Sequence, residues 1–348
     1  MPALPELARR IALAPWWALE LLSSAKSFAD NPLLGSARLN RLGLHRVRLR
    51  AAHALSARRR AGLAAALAPA EREAFARDGY LVRHDLLPAA DFAALRESLL
   101  ARPAPAREML QGDTLTRRIA LDPAFRRAVP ALQGLIEHPL FRAATRHVAA
   151  YDREPWLYLQ TILSHVRAAA PDPQTHLHAD TFHPTMKAWF FLGEVAADEG
   201  PFTYVPGSHR LTPERLAWES RRAESAAREP CRMSARGSLR IEADELPALG
   251  LPPPRALAVP ANTLVVADTF GFHARGPSLR PGLRIEVWAY DRRNPFWPAS
   301  TDAPLAWLGL LPRRAPLYWA ALDARERLGG GRNPWRDAGL KRAGDPAA

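Results

Sequence analysis

The stretch from Gln174 to Arg210, QTHLHADTFHPTMKAWFFLGEVAADEGPFTYVPGSHR, constrains the chain most. It reads as a strand, a polar loop, a second strand, an acidic turn and a third strand. Side chains at i and i+2 leave the same face of a strand. His178 and Asp180 therefore point into one site, and Ala179 points away. An imidazole and a carboxylate suit a borderline divalent metal such as Fe(II). Two ligands do not hold it, so a third must come from elsewhere in the chain.

The 348 residues suffice for one large domain or two small ones. At 48% hydrophobic and 24% charged, the composition is that of a soluble globular protein. A single cysteine, Cys231, excludes an intramolecular disulfide and a cysteine metal cluster. It fits a reducing cytoplasm, where Fe(II) survives. No apolar run approaches the roughly 18 residues needed to span a bilayer. Pro15 and Glu20 interrupt the apolar segment after Arg9-Arg10, which argues against a secretory signal.

The formal charge of +13 would suit nucleic acid or an anionic surface. Only three of the 48 basic residues are lysines, Lys26, Lys187 and Lys341, and this arginine bias weakens an argument from charge alone. Residues 1–60 carry eleven basic and three acidic residues, with Trp16, Trp17, Leu19, Leu21 and Leu22 among them. Such a segment suits peripheral contact with a membrane. The favoured reading is plainer: residues 1–67 form a basic helical extension packed on the main domain. No nucleic-acid fold motif or aromatic-basic platform accompanies the charge, so nucleic acid is not an expected partner.

Further along, a helix at 70–77 ends at Asp78-Gly79, a short strand covers 80–82, and a second helix follows Pro88. Residues 102–118 read as polar loop, and 122–150 as helix broken at Pro130 and Pro139. Strands follow at 156–164, 187–195, 202–205, 255–259, 263–267 and 284–290. Between them, 211–250 reads as a charged insertion or lid opened by a Thr212-Pro213-Glu214 helix start. Residues 293–348 read as an irregular Pro-, Trp- and Arg-rich wrap with one helix near 315–327. Helices followed by many short strands indicate an α+β, mostly β domain at 68–292: a jelly roll with flanking helices.

The third ligand has one candidate in the C-terminal 139 residues, His273, which lies 95 residues after His178. Arg284 follows eleven residues later, where a guanidinium can grip a carboxylate with two hydrogen bonds. An HxD triplet, a distant His and an Arg at this spacing resemble the phytanoyl-CoA dioxygenase family of Fe(II)/2-oxoglutarate oxygenases. ARDGYLV at 76–82, DEGPFTYVPGSHR at 198–210 and TFGFHARGPS with RPGLRIEVWAY at 269–290 carry the likeness further.

The resemblance implies a double-stranded β-helix, the cupin-like jelly roll. It implies His178, Asp180 and His273 as the metal triad, with open positions for 2-oxoglutarate and O2. It places Arg284 on the distal carboxylate of 2-oxoglutarate, Trp189 in the co-substrate pocket, and Gln160 and Ile162 on the strand flanking it. It implies hydroxylation of a small-molecule or lipid-like substrate, with 2-oxoglutarate decarboxylated to succinate and CO2. Asp180 favours hydroxylation, because related halogenases carry Gly or Ala there. Arg275 departs from the family, where a serine touches 2-oxoglutarate. Structural roles are expected for His176, His183 and His209. Lys187 is expected either to contact an acid or to be solvated, and Arg210, Arg215, Arg221 and Arg222 to lie solvated on the lid. The competing reading is a non-catalytic jelly-roll binding protein with a vestigial metal site.

Overall fold

The computed structural model describes residues 4–297 and 303–347; residues 1–3, 298–302 and 348, part of the expected extension and wrap, lie outside the described residues. Three helices come first: α1 (Leu4–Glu20), α2 (Ala37–Arg41) and α3 (Leu44–Leu63). The domain entry follows as expected, with α4 (Pro69–Asp78), β1 (Tyr80–Arg83) and α5 (Ala89–Ala101). Gly79 ends α4 at φ 85°. A Cβ there would lie 2.4 Å from His209 Nδ1, so only glycine fits this left-handed cap.

Residues 102–118 are not loop. They form a hairpin of β2 (Ala104–Gln111) and β3 (Thr114–Ala120), with Gln111 paired to Thr114 across Gly112-Asp113. Gly112 has φ 58°, the geometry a two-residue hairpin turn requires at its first position. The strands escape a hydrophobic reading because Arg107, Glu108, Arg117 and Arg118 are paired or stacked inside the fold.

Three helices cover the sheet, α6 (Pro123–Ala128), α7 (Leu132–Glu137) and α8 (Pro139–Ala149), divided at the expected prolines. The Asp122 carboxylate caps α6 by accepting from Phe125 N at 2.9 Å. Then come β4 (Trp156–Ser164), β5 (Met186–Phe191), β6 (Phe202–Tyr204), α9 (Pro213–Ser225) and α10 (Arg232–Ala235). The chain closes with β7 (Arg255–Leu257), β8 (Thr263–Asp268), β9 (His273–Arg275), β10 (Gly282–Asp291), α11 (Ala303–Trp307), α12 (Arg314–Arg327) and β11 (Arg336–Lys341).

The strands make two antiparallel sheets. Eight run in the order β1-β8-β5-β10-β4-β3-β2-β11, and three in the order β7-β6-β9. This is a distorted jelly roll, the double-stranded β-helix, with helices on the outer face of the larger sheet. Strict alternation separates two chemistries. Phe190, Leu264, Val266 and Val287 face outward onto Leu95, Leu99, Leu132, Phe141 and Val148. Each fully buried side chain of this size contributes about 1.5–3 kcal/mol. Trp189, Phe191, Val265 and Trp288 face inward toward the small sheet.

Two expectations change at the chain's far parts. β11 pairs with β2, so 293–348 is no irregular wrap but supplies an edge strand as well as helices. Arg117, fully buried, fixes it by donating to the carbonyls of Arg342, Asp345 and Pro346. The stretch 211–250 is likewise no solvated lid. Thr212 caps α9 as expected, and Trp218 and Ala223 pack with Phe28, Leu34 and Phe272. Arg215 is buried, bonded to Glu219 and to the carbonyls of Ser208 and Phe270.

The N-terminal helices are tied to the domain by charge. Arg60 on α3 donates to Asp268 Oδ2 at 2.8 Å, and that carboxylate is fully buried. Removing one member of a buried pair leaves the other charge uncompensated. Arg60→Met should lower the urea unfolding free energy by about 3 kcal/mol, whereas Arg50→Met, an exposed change on the same helix, should leave it unmoved.

Candidate active site

The HAD triplet is held between two neighbours rather than in a regular strand. His178 and His273 exchange backbone bonds, N to O at 2.9 Å and 3.0 Å. Ala179 N donates to Leu239 O at 3.0 Å and Asp180 N to Thr269 O at 2.9 Å. The expected first strand is thus reduced to bridges from His178 to His273 and Arg240. Pro173 and Pro184, which lack backbone donors, flank it. The same-face consequence still holds, for His178 and Asp180 face one point with His273.

Ligand atoms of His178, Asp180 and His273 lie within 4.8 Å of one another. Asp180 Oδ1 is 3.7 Å from each histidine Nε2. His178 Nδ1 bonds His176 O at 2.8 Å, and His273 Nδ1 bonds Gly271 O at 2.9 Å. A carbonyl only accepts, so each Nδ1 carries the proton and each Nε2 presents a lone pair. Both Nε2 atoms are buried without a hydrogen-bond partner. Orphaned acceptors beside a carboxylate fit a divalent cation. Burial, and then repulsion between the rings, pushes His178 well below its ordinary value; burial brings His273 to about 4. Both imidazoles are therefore neutral, as a ligand must be. Burial alone would raise Asp180, but Lys187, then His273 and His178, together hold its carboxyl well below the ordinary value.

These atoms line a cavity of about 590 Å³ together with Arg284, Trp189, Gln160 and Ile162. Register explains the grouping: Arg284 pairs with Ile162, Glu286 with Gln160, and Trp288 with Trp189 and Tyr158. Arg284 does not stand free. Its Nε donates to Glu286 Oε2 at 2.8 Å, and its Nη1 to Gly200 O. Both Nη2 hydrogens and the second Nη1 hydrogen remain as donors, so these bonds orient the guanidinium and leave donors for a two-pronged grip on a carboxylate. Gln160 bridges Glu286 and Arg118 at 2.8 Å each. Arg275 lines the same cavity and donates to the buried Asp172 at 2.7 Å.

Sequence reasoning missed several groups. Lys26, from the N-terminal extension, donates to the Asp180 carbonyl. Lys187 was not missed: contact with an acid was one of its two expectations, and its Nζ lies 2.6 Å from Asp180 Oδ2. Burial, and then the nearby Arg292, brings the Lys26 ammonium down to about 7. The scarcity of lysine was the available signal, since two of three lysines meet at one aspartate. Arg118 stacks 3.9 Å from the Trp288 ring centre and 4.5 Å from that of Trp335. His176 is exposed, while His183 and His209 are buried and do not line the cavity, nor does any described residue of 211–250.

With this geometry in place, the comparisons become informative. Residues 75–245 match the Phytanoyl-CoA dioxygenase (PhyH) family. The chain carries a PhyH domain. It is an Fe(II)/2-oxoglutarate-dependent oxygenase. The PhyH match takes in His178 and Asp180 but ends before His273 and Arg284, which the fold adds. No curated protein matches the chain. Similar solved structures include SnoN, an α-ketoglutarate-dependent epimerase from nogalamycin biosynthesis, 20% identical over 64% of this chain and 80% of that one, TM-score 0.40. HygX from Streptomyces hygroscopicus, with nickel and 2-oxoglutarate bound, is 19% identical over 64% and 86%, TM-score 0.38. AviO1 from Streptomyces viridochromogenes Tue57 is 18% identical over 66% and 95%, TM-score 0.37. Likenesses at this level bear no functional weight.

Away from the triad, burial and then the Arg60 guanidinium depress His53 to about 3, His209 to about 3 and His147 to about 4. Unfolded, each titrates near 6.5, so below that pH the unfolded chain binds more protons. Stability should therefore fall as pH drops from 7 to 5, by up to about 1.4 kcal/mol per pH unit for each histidine. Urea midpoints across that range measure it, and a flat profile would contradict the assignment.

Proposed function

We propose that this PhyH protein hydroxylates a small-molecule substrate while 2-oxoglutarate is decarboxylated to succinate and CO2. One observation carries the reading: two neutral imidazoles and a carboxylate, with both Nε2 atoms orphaned, meet on the wall of a cavity large enough for a ligand. His178, Asp180 and His273 would hold Fe(II). Bound there with 2-oxoglutarate, the iron supplies the activation of O2 that an unassisted side chain cannot.

The chain's own residues position and shield. His176 O and Gly271 O fix the tautomer of each imidazole. Lys187 engages Asp180 Oδ2 and leaves Oδ1 turned toward the histidines. Arg284 is placed to take the distal carboxylate of 2-oxoglutarate. Arg275 stands near enough to share that charge, where relatives carry serine. Trp189, Gln160 and Ile162 wall the co-substrate, and the Trp189–Phe202 contact at 4.2 Å helps exclude water. The presence of Asp180 supports hydroxylation over halide transfer.

Full-length protein with Fe(II) and 2-oxoglutarate should release succinate, and a substrate screen read by succinate should accelerate it. His178→Ala should abolish succinate release and remove saturable Ni(II) binding in calorimetry, while the exposed His176→Ala keeps both. Arg284→Gln should raise KM for 2-oxoglutarate by about tenfold or more, with metal affinity unchanged. No succinate with any substrate, together with equal metal affinity in wild type and His178→Ala, would sink the proposal.

A second reading concerns residues 1–60. No helix among the described residues is long and apolar enough to cross a membrane. Helix α1 exposes Ile11, Trp16 and Leu19, followed by Leu22, which supports contact with an anionic membrane surface. Full-length protein should float with anionic liposomes and a Trp16→Glu, Leu19→Glu variant should not; equal flotation would dismiss this contact.

A further inference from the structure

The cavity carries cations on both sides of the triad, and the proposed chemistry uses Arg284 and Arg275 on one side but only Lys187 on the other. On the other, Lys26, Lys187 and Arg292 line the wall, and among the described residues Asp180 is the only acidic one that lines the cavity with them. Register measures the separation. Lys187 pairs with Tyr290, six residues along β10 from Arg284, or roughly 20 Å at 3.3 Å per residue. The carbon chain of 2-oxoglutarate has four C–C bonds of about 1.5 Å. Lys26 and Lys187 reach the triad at Asp180, but a molecule that short, chelated there and held at Arg284, leaves the wall beyond them, with Arg292, Trp156 and Tyr290, for a second ligand.

The second side is built. Arg48, itself buried, donates to the carbonyls of Leu21, Ser23 and Ala25 at 2.8–3.0 Å and so fixes the segment that carries Lys26. Across from it, a Cβ on Gly237 would lie 2.1 Å from Lys26 O, so this backbone approach needs glycine. Lys187 is held by the Asp180 carboxylate and Lys26 by the Asp180 carbonyl, while Arg292 lines the wall with no second acidic residue among the described residues of the cavity. Beside them are broad rings: Trp156 and Tyr290 are cross-strand neighbours, and Trp288 and Tyr290 stack at 5.3 Å.

We infer that Lys26, Lys187 and Arg292 form an anion subsite for the primary substrate, which carries a carboxylate or phosphate there and lays an apolar or planar body against Trp156, Trp288 and Tyr290. Specificity then rests on Lys26 and Arg292, both outside the residues 75–245 that match the family. The assignment rests on the oxygenase reading above and deepens it.

The test uses full-length protein loaded with Ni(II), titrated by calorimetry with and without saturating 2-oxoglutarate. The probes are 1-naphthoate, 1-naphthyl phosphate and the neutral 1-naphthamide. An anionic probe should bind about tenfold or more tighter than the amide, with 2-oxoglutarate present. Lys26→Met combined with Arg292→Gln should remove that preference and leave 2-oxoglutarate affinity unchanged. Arg284→Gln should do the reverse. The tighter of the two anions identifies the group. Equal binding of acid and amide overturns the subsite, as does competition of the anionic probes with 2-oxoglutarate. Failure of 2-oxoglutarate itself to bind would count against the oxygenase reading, while the titrations without it still decide the subsite.

Discussion

The site depends on one buried carboxylate that is not part of it. Asp268 ends β8, where Oδ1 accepts from Thr185 N at 3.1 Å and Phe270 N at 3.0 Å. Its Oδ2 takes Arg60, and its carbonyl takes the Tyr204 hydroxyl at 2.7 Å. Thr185 follows the His178–Asp180 segment, and Phe270 precedes His273. One side chain thus sets the spacing between the two segments that supply the triad. Its carboxylate also fastens α3 to the large sheet, and the backbone carbonyl of the same residue fastens the small sheet. A charge this deeply buried persists only because its acceptor positions are filled.

Around that junction, alternation along the strands divides labour. Odd and even positions of β5, β8 and β10 face different environments, one packed against helices, the other open to the cavity. The inner face can therefore carry Glu286, Gln160, Arg118 and Arg284 as a bonded row without weakening the outer core. Such a row is tolerable because each polar group has a partner. It also means that Arg284 is already oriented on the cavity wall by Glu286 and Gly200.

Much of this was legible in the residues. His178, Asp180, His273 and Arg284 could be singled out because their types are few and their spacing is regular, and the structure gathers all four at one cavity. Strand β4 was visible as a run of large apolar residues. The β2–β3 hairpin was not, because its inward positions are filled by arginines whose charge is satisfied only by tertiary partners. Lys26 was conspicuous as one of three lysines but could not be placed, for a related reason. Nothing local marks its place, which is fixed by Arg48 and Gly237 acting from other segments. The lid reading failed because charged composition was taken for exposure, whereas Arg215 and Glu219 neutralise each other inside the fold.

The walls of the cavity come from distant parts of the chain. Lys26 and Trp335, both lining it, are 309 positions apart. During synthesis the strands that carry the triad leave the ribosome well before Trp335 and β11. A nascent chain can thus complete its metal-binding centre while the chamber around it is still open on one side. Contacts of such long sequence separation form late and slowly. The part of the wall that Trp335 contributes is therefore made only after the strands that carry the triad.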